Sequence, residues 1–149
     1  MNHAILVPID GSTHAEKALA VAAQMAMASS AAIHLLHVTE YPDDIGILMG
    51  ASKGPLTEER REKLAAENRE KSRRVLDQAR QAVDLSGLEV KELIREGRPA
   101  RAILQEAKEV GADVIVMGSR GMSDLKGMVV GSVSHRVSHG ADCTVITVT

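Results

Sequence analysis

The sequence is almost without aromatic residues: it contains no Phe and no Trp, and Tyr41 is its only tyrosine. Proteins that bind single-stranded nucleic acid stack the bases on aromatic side chains, so the composition excludes that class. The formal net charge is −2, and the isoelectric point is near 6.3. Binding to a duplex requires an excess of basic residues to neutralise phosphates. We therefore expect no nucleic-acid partner.

Cysteine is equally scarce, because Cys143 is the only one in the chain. An internal disulfide and a thiolate cluster for zinc are thereby excluded. The apolar runs are shorter than the roughly 18–20 residues that cross a bilayer. The first residues also lack the basic segment and cleavage pattern of a secretion signal. We expect a soluble cytoplasmic protein without a membrane span.

The remaining composition is that of an ordinary globular protein. The chain has 149 residues, of which 44% are hydrophobic and 26% are charged. These fractions exclude a disordered or low-complexity chain. The length suits one hydrophobic core better than two. We expect a single domain over residues 1–149.

Short apolar runs alternate with helical patterns along the chain. Strands are predicted at 4–7, 32–38, 88–94, 113–117 and 143–148, and helices at 13–30, 57–85, 99–110 and 132–139. The third strand alternates imperfectly between apolar and polar residues, which is typical of a sheet edge. This order predicts an α/β fold with an open five-stranded parallel sheet and helices on both faces, as in Rossmann-like proteins. Ligands bind such sheets beyond the carboxyl ends of the strands.

Residues 40–56 interrupt this alternation with two prolines and three glycines. We interpret this segment as a long loop or flap, and the sequence leaves its role open.

A glycine-rich loop over 118–130 follows the fourth predicted strand. Its glycines allow the backbone N–H groups to approach a ligand, and Ser132 begins a helix whose N-terminus favours an anion. Arg120 and Lys126 add positive charge. The loop has neither the Gly-Lys-Ser/Thr of a P-loop nor the Gly-x-Gly-x-x-Gly that follows the first strand of a dinucleotide-binding domain. The pattern predicts phosphate binding by a loop of a different kind.

The spacing of this loop resembles the signature of the ATP-binding branch of the universal stress protein family. Gly118-x-x-Gly121 is followed, after nine residues, by Gly131-Ser132. Four further segments resemble the family in the same order along the chain: Val7–Ser12, Leu35–Val38, Gly97–Pro99 and Ala112–Ser119. The resemblance implies the adenine-nucleotide α-hydrolase-like version of the Rossmann-like fold.

The resemblance also implies a site for ATP with Mg²⁺ or Mn²⁺. Pro8 and Asp10 would lie beside the nucleotide, and Asp10 would face the ribose or the metal-bound phosphates. Val38 would contact adenine through its backbone. The glycine-rich loop and the start of the next helix would surround the ribose and hold the phosphates, through Gly118, Ser119, Arg120, Gly121, Gly131, Ser132, Val133 and Ser134. No catalytic residue is implied.

The function implied by the resemblance is that of an ATP-binding regulatory protein, whose nucleotide state modulates contact with a partner protein that the sequence does not identify. The resemblance further implies a homodimer. The β-branched final strand at 143–148 would be an edge that needs pairing, and we expect the dimer to form there. Higher oligomers stay open.

The alternative is an enzyme that processes adenine nucleotides, either a hydrolase or a nucleotidyl transferase. Such an enzyme needs a general base or a second substrate pocket, and the candidate carboxylates are Asp10 and Asp124. We expect slow ATP hydrolysis at most. A flavin-binding module is disfavoured because stacking aromatic side chains are nearly absent.

The six histidines are scattered over separate elements. His135 and His139 share one helical face, but the sequence indicates no third ligand, so we predict no zinc site. We interpret His37, on a buried strand, as a hydrogen-bonded core residue. Cys143 is interpreted as a small buried hydrophobe.

Overall fold

The computed structural model describes residues 3–39, 57–121 and 131–149. The elements in these ranges follow the alternating order that the sequence predicts. Their bounds are β1 (Ala4–Pro8), α1 (Thr13–Ser29), β2 (Ala32–Thr39), α2 (Glu58–Ala82), β3 (Val90–Glu96), α3 (Pro99–Glu109), β4 (Val114–Gly118), α4 (Ser132–Gly140) and β5 (Thr144–Val148). The predicted flap at 40–56 lies outside the described residues, as do Asp124 and Lys126.

The five strands form one parallel sheet in the order β3-β2-β1-β4-β5. The predicted fold class is therefore confirmed, and so is the position of β3 at an edge. β1 and β4 lie in the interior of the sheet and are covered on both faces, which explains their continuous apolar sequences.

The helices α1, α2 and α3 each begin at a residue suited to that place. The Ser12 hydroxyl accepts a hydrogen bond from the Ala15 N–H at 3.2 Å, and the Thr57 hydroxyl caps α2 in the same way. Pro99 is the first residue of α3, where its missing N–H has no intrahelical partner to lose. These caps fix where the chain turns from strand to helix above the sheet.

The core lies in two layers, one on each face of the sheet. On one face, α1 packs on the sheet through alanines, and Leu76 of α2 is fully buried beside it. Small side chains allow the axis of α1 to approach the strands closely. On the other face, Ile103 of α3 and Val137 of α4 cover Leu6 and Leu36.

The helix α2 is longer than the sheet that it covers. Its buried residues, Ser72, Leu76 and Ala79, all lie in the C-terminal half of its 25 residues. Residues 58–69, at its N-terminal end, are exposed or only partly buried. Among the described residues, no helix has the length and apolar character needed to cross a membrane.

Candidate functional site

A cavity of about 420 Å³ opens beyond the carboxyl ends of β1, β2 and β4. This volume lies within the range of roughly 300–1,000 Å³ that is usual for small-molecule sites. Each of the four helices in the described part of the chain contributes to its walls. The described residues that line it are Pro8, Ile9, Asp10, Ala15, Leu36, His37, Val38, Thr39, Asn68, Lys71, Pro99, Ile103, Met117, Gly118, Arg120, Gly121, Val133 and Ser134.

The cavity brings together most of the residues that the sequence singled out. Those that line it are Pro8, Asp10, Val38, Gly118, Arg120, Gly121, Val133 and Ser134. Ser119, Gly131 and Ser132 belong to the same segments but are not part of the described lining. The predicted residues thus converge from β1, β2, β4 and α4 on one end of the sheet.

The carboxylate of Asp10 is held by a tight turn at the end of β1. Its Oδ1 accepts a hydrogen bond from the Ser12 N–H at 2.9 Å. Gly11, between them, has φ +91°, a conformation that residues with side chains rarely adopt. The turn therefore fixes an acidic group at the cavity.

The two ends of the glycine-rich loop are tied together by the carbonyl of Ser119. This carbonyl accepts hydrogen bonds from the Gly131 N–H at 2.5 Å and from the Ser134 hydroxyl at 2.8 Å. The Ser119 N–H in turn donates to the Val148 carbonyl of β5 at 2.8 Å. The Ser119 hydroxyl is buried without a hydrogen-bond partner among the described residues. These bonds hold the start of α4 against the end of β4.

Gly118 has a packing role in addition to its predicted role beside a ligand. A Cβ at this position would lie 2.7 Å from the Cβ of His14 and 3.0 Å from the backbone nitrogen of Ala15. Contacts of that length essentially do not occur, so only glycine lets the first turn of α1 approach β4. The same approach places Ala15 in the cavity wall.

The N-terminus of α4 differs from those of α1 and α2. Its cap residue is Gly131, which has no side chain to accept a hydrogen bond from the first turn. Ser12 and Thr57 supply such an acceptor to α1 and α2. Because the N–H groups of a first helical turn and the helix dipole favour an anion, the start of α4 has the chemical character of a phosphate site.

His37 connects the floor of the cavity to α2. Its Nδ1 lies 2.7 Å from the Ser72 hydroxyl, and both side chains are buried. Burial lowers the pKa of His37, and the ammonium of Lys71 lowers it further, whereas Asp10 raises it. The imidazole is therefore neutral at pH 7. The prediction of a hydrogen-bonded core histidine is confirmed, and the residue also lines the cavity.

Two cavity residues on α2, Asn68 and Lys71, were missed by the sequence analysis, which assigned no site residue to this helix. A signal was present nevertheless. Asn68 is four residues before the buried Ser72, which is itself four residues before Leu76, so Asn68 continues the buried stripe of α2. A polar residue in that stripe, beyond the edge of the sheet, indicates a contact with a site.

The opposite wall of the cavity is apolar. It is formed by Leu36 of β2, Pro99 and Ile103 of α3, Met117 of β4 and Val133 of α4. The cavity thus combines a polar side near α2 with an aliphatic side near α3. An aliphatic slot of this kind can hold the flat face of a ring that carries polar edges.

Comparison with known proteins decides which family the chain belongs to. The profile of the universal stress protein family matches residues 1–149. The chain belongs to the universal stress protein family. Universal stress protein YxiE of Bacillus subtilis is 36% identical over 149 residues, and the alignment covers 99% of each chain.

Solved structures of universal stress proteins share the fold. MJ0577, a universal stress protein of Methanocaldococcus jannaschii, superposes with a TM-score of 0.81 at 28% identity, covering 99% of this chain and 96% of the other. A universal stress protein solved in complex with cAMP superposes with a TM-score of 0.63 at 25% identity, covering 99% and 96%. The five-stranded parallel architecture is therefore that of the universal stress protein family.

The donor set of the cavity suits a metal that is bound together with phosphates. Asp10 is the only carboxylate in the described lining. Across 3–39, 57–121 and 131–149, no three or more His, Cys, Asp or Glu side chains form a group that could hold a metal ion. Mg²⁺ commonly takes one or two carboxylates plus phosphate oxygens and waters, and Mn²⁺ favours similar oxygen ligands. Asp10 could supply the carboxylate of such a ligand set.

The other candidate residues lie away from the cavity. The rings of His135 and His139 are in edge contact on α4, with centroids 4.3 Å apart. Cys143 precedes β5 and is only partly buried, and burial raises the pKa of its thiol. A thiol with a raised pKa is a poor nucleophile at neutral pH.

Proposed function

We propose that this universal stress protein is a single-domain, cytoplasmic, ATP-binding regulatory protein whose nucleotide state modulates contact with a partner protein. The observation that carries the proposal is the cavity at the carboxyl edge of the sheet. It combines a glycine-rich segment and a helix N-terminus that has no side-chain cap with an aliphatic wall. These are the two environments that the phosphates and the base of one nucleotide require.

The phosphate chain lies against Gly118, Arg120 and Gly121 and reaches the start of α4 at Gly131. There, Ser132, Val133 and Ser134 present backbone N–H groups, and Ser119 holds the segment together through its carbonyl. The anchoring of Ser119 to Gly131 and Ser134 supports this arrangement, because it fixes the N–H groups before a ligand binds. Preorganised donors bind an anion with little loss of conformational entropy.

The adenine ring lies between the aliphatic residues of α3 and the end of β2, with Val38 as its backbone contact. Pro8 lies beside the nucleoside, and Asp10 accepts hydrogen bonds from the ribose or ligates Mg²⁺ or Mn²⁺ together with phosphate oxygens. The relative solved in complex with cAMP supports an adenine nucleotide as the ligand class. Its identity to this chain is 25%.

The competing function is an enzyme that processes adenine nucleotides, as a hydrolase or a nucleotidyl transferase. Fast hydrolysis requires a residue that positions the attacking water, and Asp10 is the only carboxylate in the described lining. We expect turnover well below the roughly 1–10³ s⁻¹ of dedicated enzymes. Phosphate release of many per second that is lost in Asp10→Asn would favour the enzyme.

The assembly that we propose is a homodimer paired through β5. Thr144–Val148 is an edge strand without a charged residue, as its Thr-Val-Ile-Thr-Val sequence shows. Edge strands of this kind need a partner or a cover. A second copy of the same strand satisfies the edge by a symmetric contact.

The binding proposal is tested with Gly131→Val. The backbone of Gly131 has φ −72° and ψ 162°, which a valine adopts without strain, so the variant places bulk at the start of α4 and leaves the backbone conformation available. We expect calorimetry to show at least about a tenfold loss of ATP affinity. Thermal unfolding of the variant serves as the control for folding. Unchanged ATP affinity in a folded variant would overturn the proposed site.

A further inference from the structure

The wall that α2 contributes to the cavity is fixed in place by a buried hydrogen bond. Ser72 is fully buried, and its hydroxyl lies 2.7 Å from Nδ1 of His37 on β2. The neighbouring Lys71 lines the cavity together with Asn68, one turn earlier. Ser72, which forms this hydrogen bond, follows Lys71 directly in the chain. The bond therefore fixes the backbone of Lys71 at the cavity.

Three arginines of α2 form described ion pairs, and Lys71 is not among the paired cations of this helix. Arg73, Arg74 and Arg80 each pair with a carboxylate on α2 or β3. Among the ion pairs formed within 3–39, 57–121 and 131–149, none includes Lys71. The ammonium group of Lys71 is therefore not held by a described carboxylate.

The charge of the cavity depends on this lysine. Three formally charged side chains line it in the described part of the chain: Asp10, Lys71 and Arg120. With Lys71 the lining has one more positive than negative charge, and without it the two remaining charges cancel. A ligand with several phosphate charges next to Asp10 requires the positive excess.

We propose that Lys71 binds the phosphate chain of the nucleotide, so that α2 supplies an anion-binding group to the cavity that Gly118, Arg120 and Gly121 also line. This inference rests on the proposed function and adds a residue to it. The phosphate chain is the only anionic part of an adenine nucleotide, so an ammonium group in the cavity selects that part of the ligand. Lys71 thereby favours nucleotides over the uncharged nucleoside.

The test compares ATP, AMP and adenosine by calorimetry with wild type, Lys71→Gln and Lys71→Arg. We expect Lys71→Gln to weaken ATP binding about tenfold, as for one partly solvated charged hydrogen bond, and to leave adenosine binding unchanged. Lys71→Arg keeps the charge and should retain most of the ATP affinity. Arg69→Gln is the matched control, because it removes the same charge from α2 at an exposed residue outside the described lining.

The outcomes separate the two proposals. If wild type binds ATP and Lys71→Gln binds it equally well, the role of Lys71 is overturned and the nucleotide site stands. Equal losses of ATP and adenosine affinity would also overturn it, since they would place Lys71 beside the nucleoside. If wild type binds none of the three ligands, the proposed function fails and this inference fails with it.

Discussion

The two edges of the sheet carry opposite kinds of surface. β3, at one edge, contains Lys91, Glu92, Arg95 and Glu96, and Glu92 is paired with two arginines of α2. β5, at the other edge, has no charged residue, and its five residues are all threonine, valine or isoleucine. Within the part of the chain that the structure describes, each of these strands has a neighbouring strand on one side only.

The charge difference between the two strands indicates which edge is available for pairing. Charged side chains on an edge strand oppose the approach of another strand, whereas an uncharged β-branched edge accepts one. The side chains of β3 are partly covered by the salt bridges that join the strand to α2. We therefore expect β5 to pair with a second copy and β3 to stay unpaired. A substitution in β5 tests the pairing, and substitutions of Glu92 and Lys91 test the charges that distinguish β3.

The largest effect is expected from Thr147→Pro. The Val148 carbonyl of β5 accepts a hydrogen bond from Ser119, so Val148 faces β4 and the backbone N–H of Thr147 points to the free edge. Proline removes that N–H while sparing the ladder with β4. We expect association to weaken by about a hundredfold, giving monomers at micromolar concentration in sedimentation equilibrium.

The control for this prediction is Thr147→Val, which keeps the N–H and the β-branched shape and should remain dimeric. A Thr147→Pro protein that sediments as the wild type would show that β5 is not the paired edge. A wild-type protein that is monomeric would contradict the dimer itself.

A smaller effect is expected from Glu92→Gln at the β3 edge. The Glu92 carboxylate accepts hydrogen bonds from Arg73 at 2.6 Å and Arg80 at 3.0 Å, and the Arg73 hydrogen bond lowers its pKa. We expect the variant to lose about 1 kcal/mol of unfolding free energy near pH 7, measured by urea denaturation. Glu89→Gln, which removes an exposed carboxylate 3.7 Å from Lys91, should cost far less.

The pH dependence follows from the lowered pKa of Glu92. A group whose pKa is depressed on folding stabilises the protein above its unfolded value and loses that contribution as the pH falls through the folded value. The difference in unfolding free energy between wild type and Glu92→Gln should therefore be largest near neutral pH and shrink in acid. A difference that grew on acidification would contradict the assigned salt bridges.

The smallest effect concerns the influence of an exposed lysine of β3 on a buried histidine of β2. Lys91 is in register with the buried His34 of β2, and burial, followed by the Lys91 ammonium, lowers the pKa of His34. Lys91→Gln should therefore raise the pKa of His34 in an NMR titration of the histidine side chains. Thr144→Val on β5 should leave this pKa unchanged. A fall in the His34 pKa in Lys91→Gln would have the wrong sign.

The order of elements could be predicted because each strand is a short apolar run between turn residues. The predicted end of α2 is less accurate. The sequence predicts a helix to about Leu85, but α2 ends at Ala82 and Val83 is already extended. Val83 and Leu85 still pack against the core, so their apolar spacing continues the helical pattern after the helix has stopped. The spacing of apolar residues indicates which residues are buried, and residues beyond the end of a helix can be buried as well.

The cavity could be predicted where its residues follow strands directly. Asp10 and Gly118 end strands whose carboxyl ends meet at one edge, and parallel topology alone brings them together. Lys71 could not be predicted in this way, because its position depends on how α2 docks. The bond between Ser72 and His37 sets that docking, and the sequence does not show which two polar residues will meet across space.

The hydrogen bond from Ser119 to Val148 joins the glycine-rich loop to the strand that we expect to pair. If a ligand displaced Ser119, this hydrogen bond would transmit the change to β5, and pairing through β5 would act on Ser119 by the same bond. Thermodynamic linkage requires the two effects to be equal: the factor by which dimerisation changes nucleotide affinity is the factor by which the nucleotide changes dimerisation. The fraction of dimer would then depend on the nucleotide concentration, and the fraction of bound nucleotide would depend on the protein concentration.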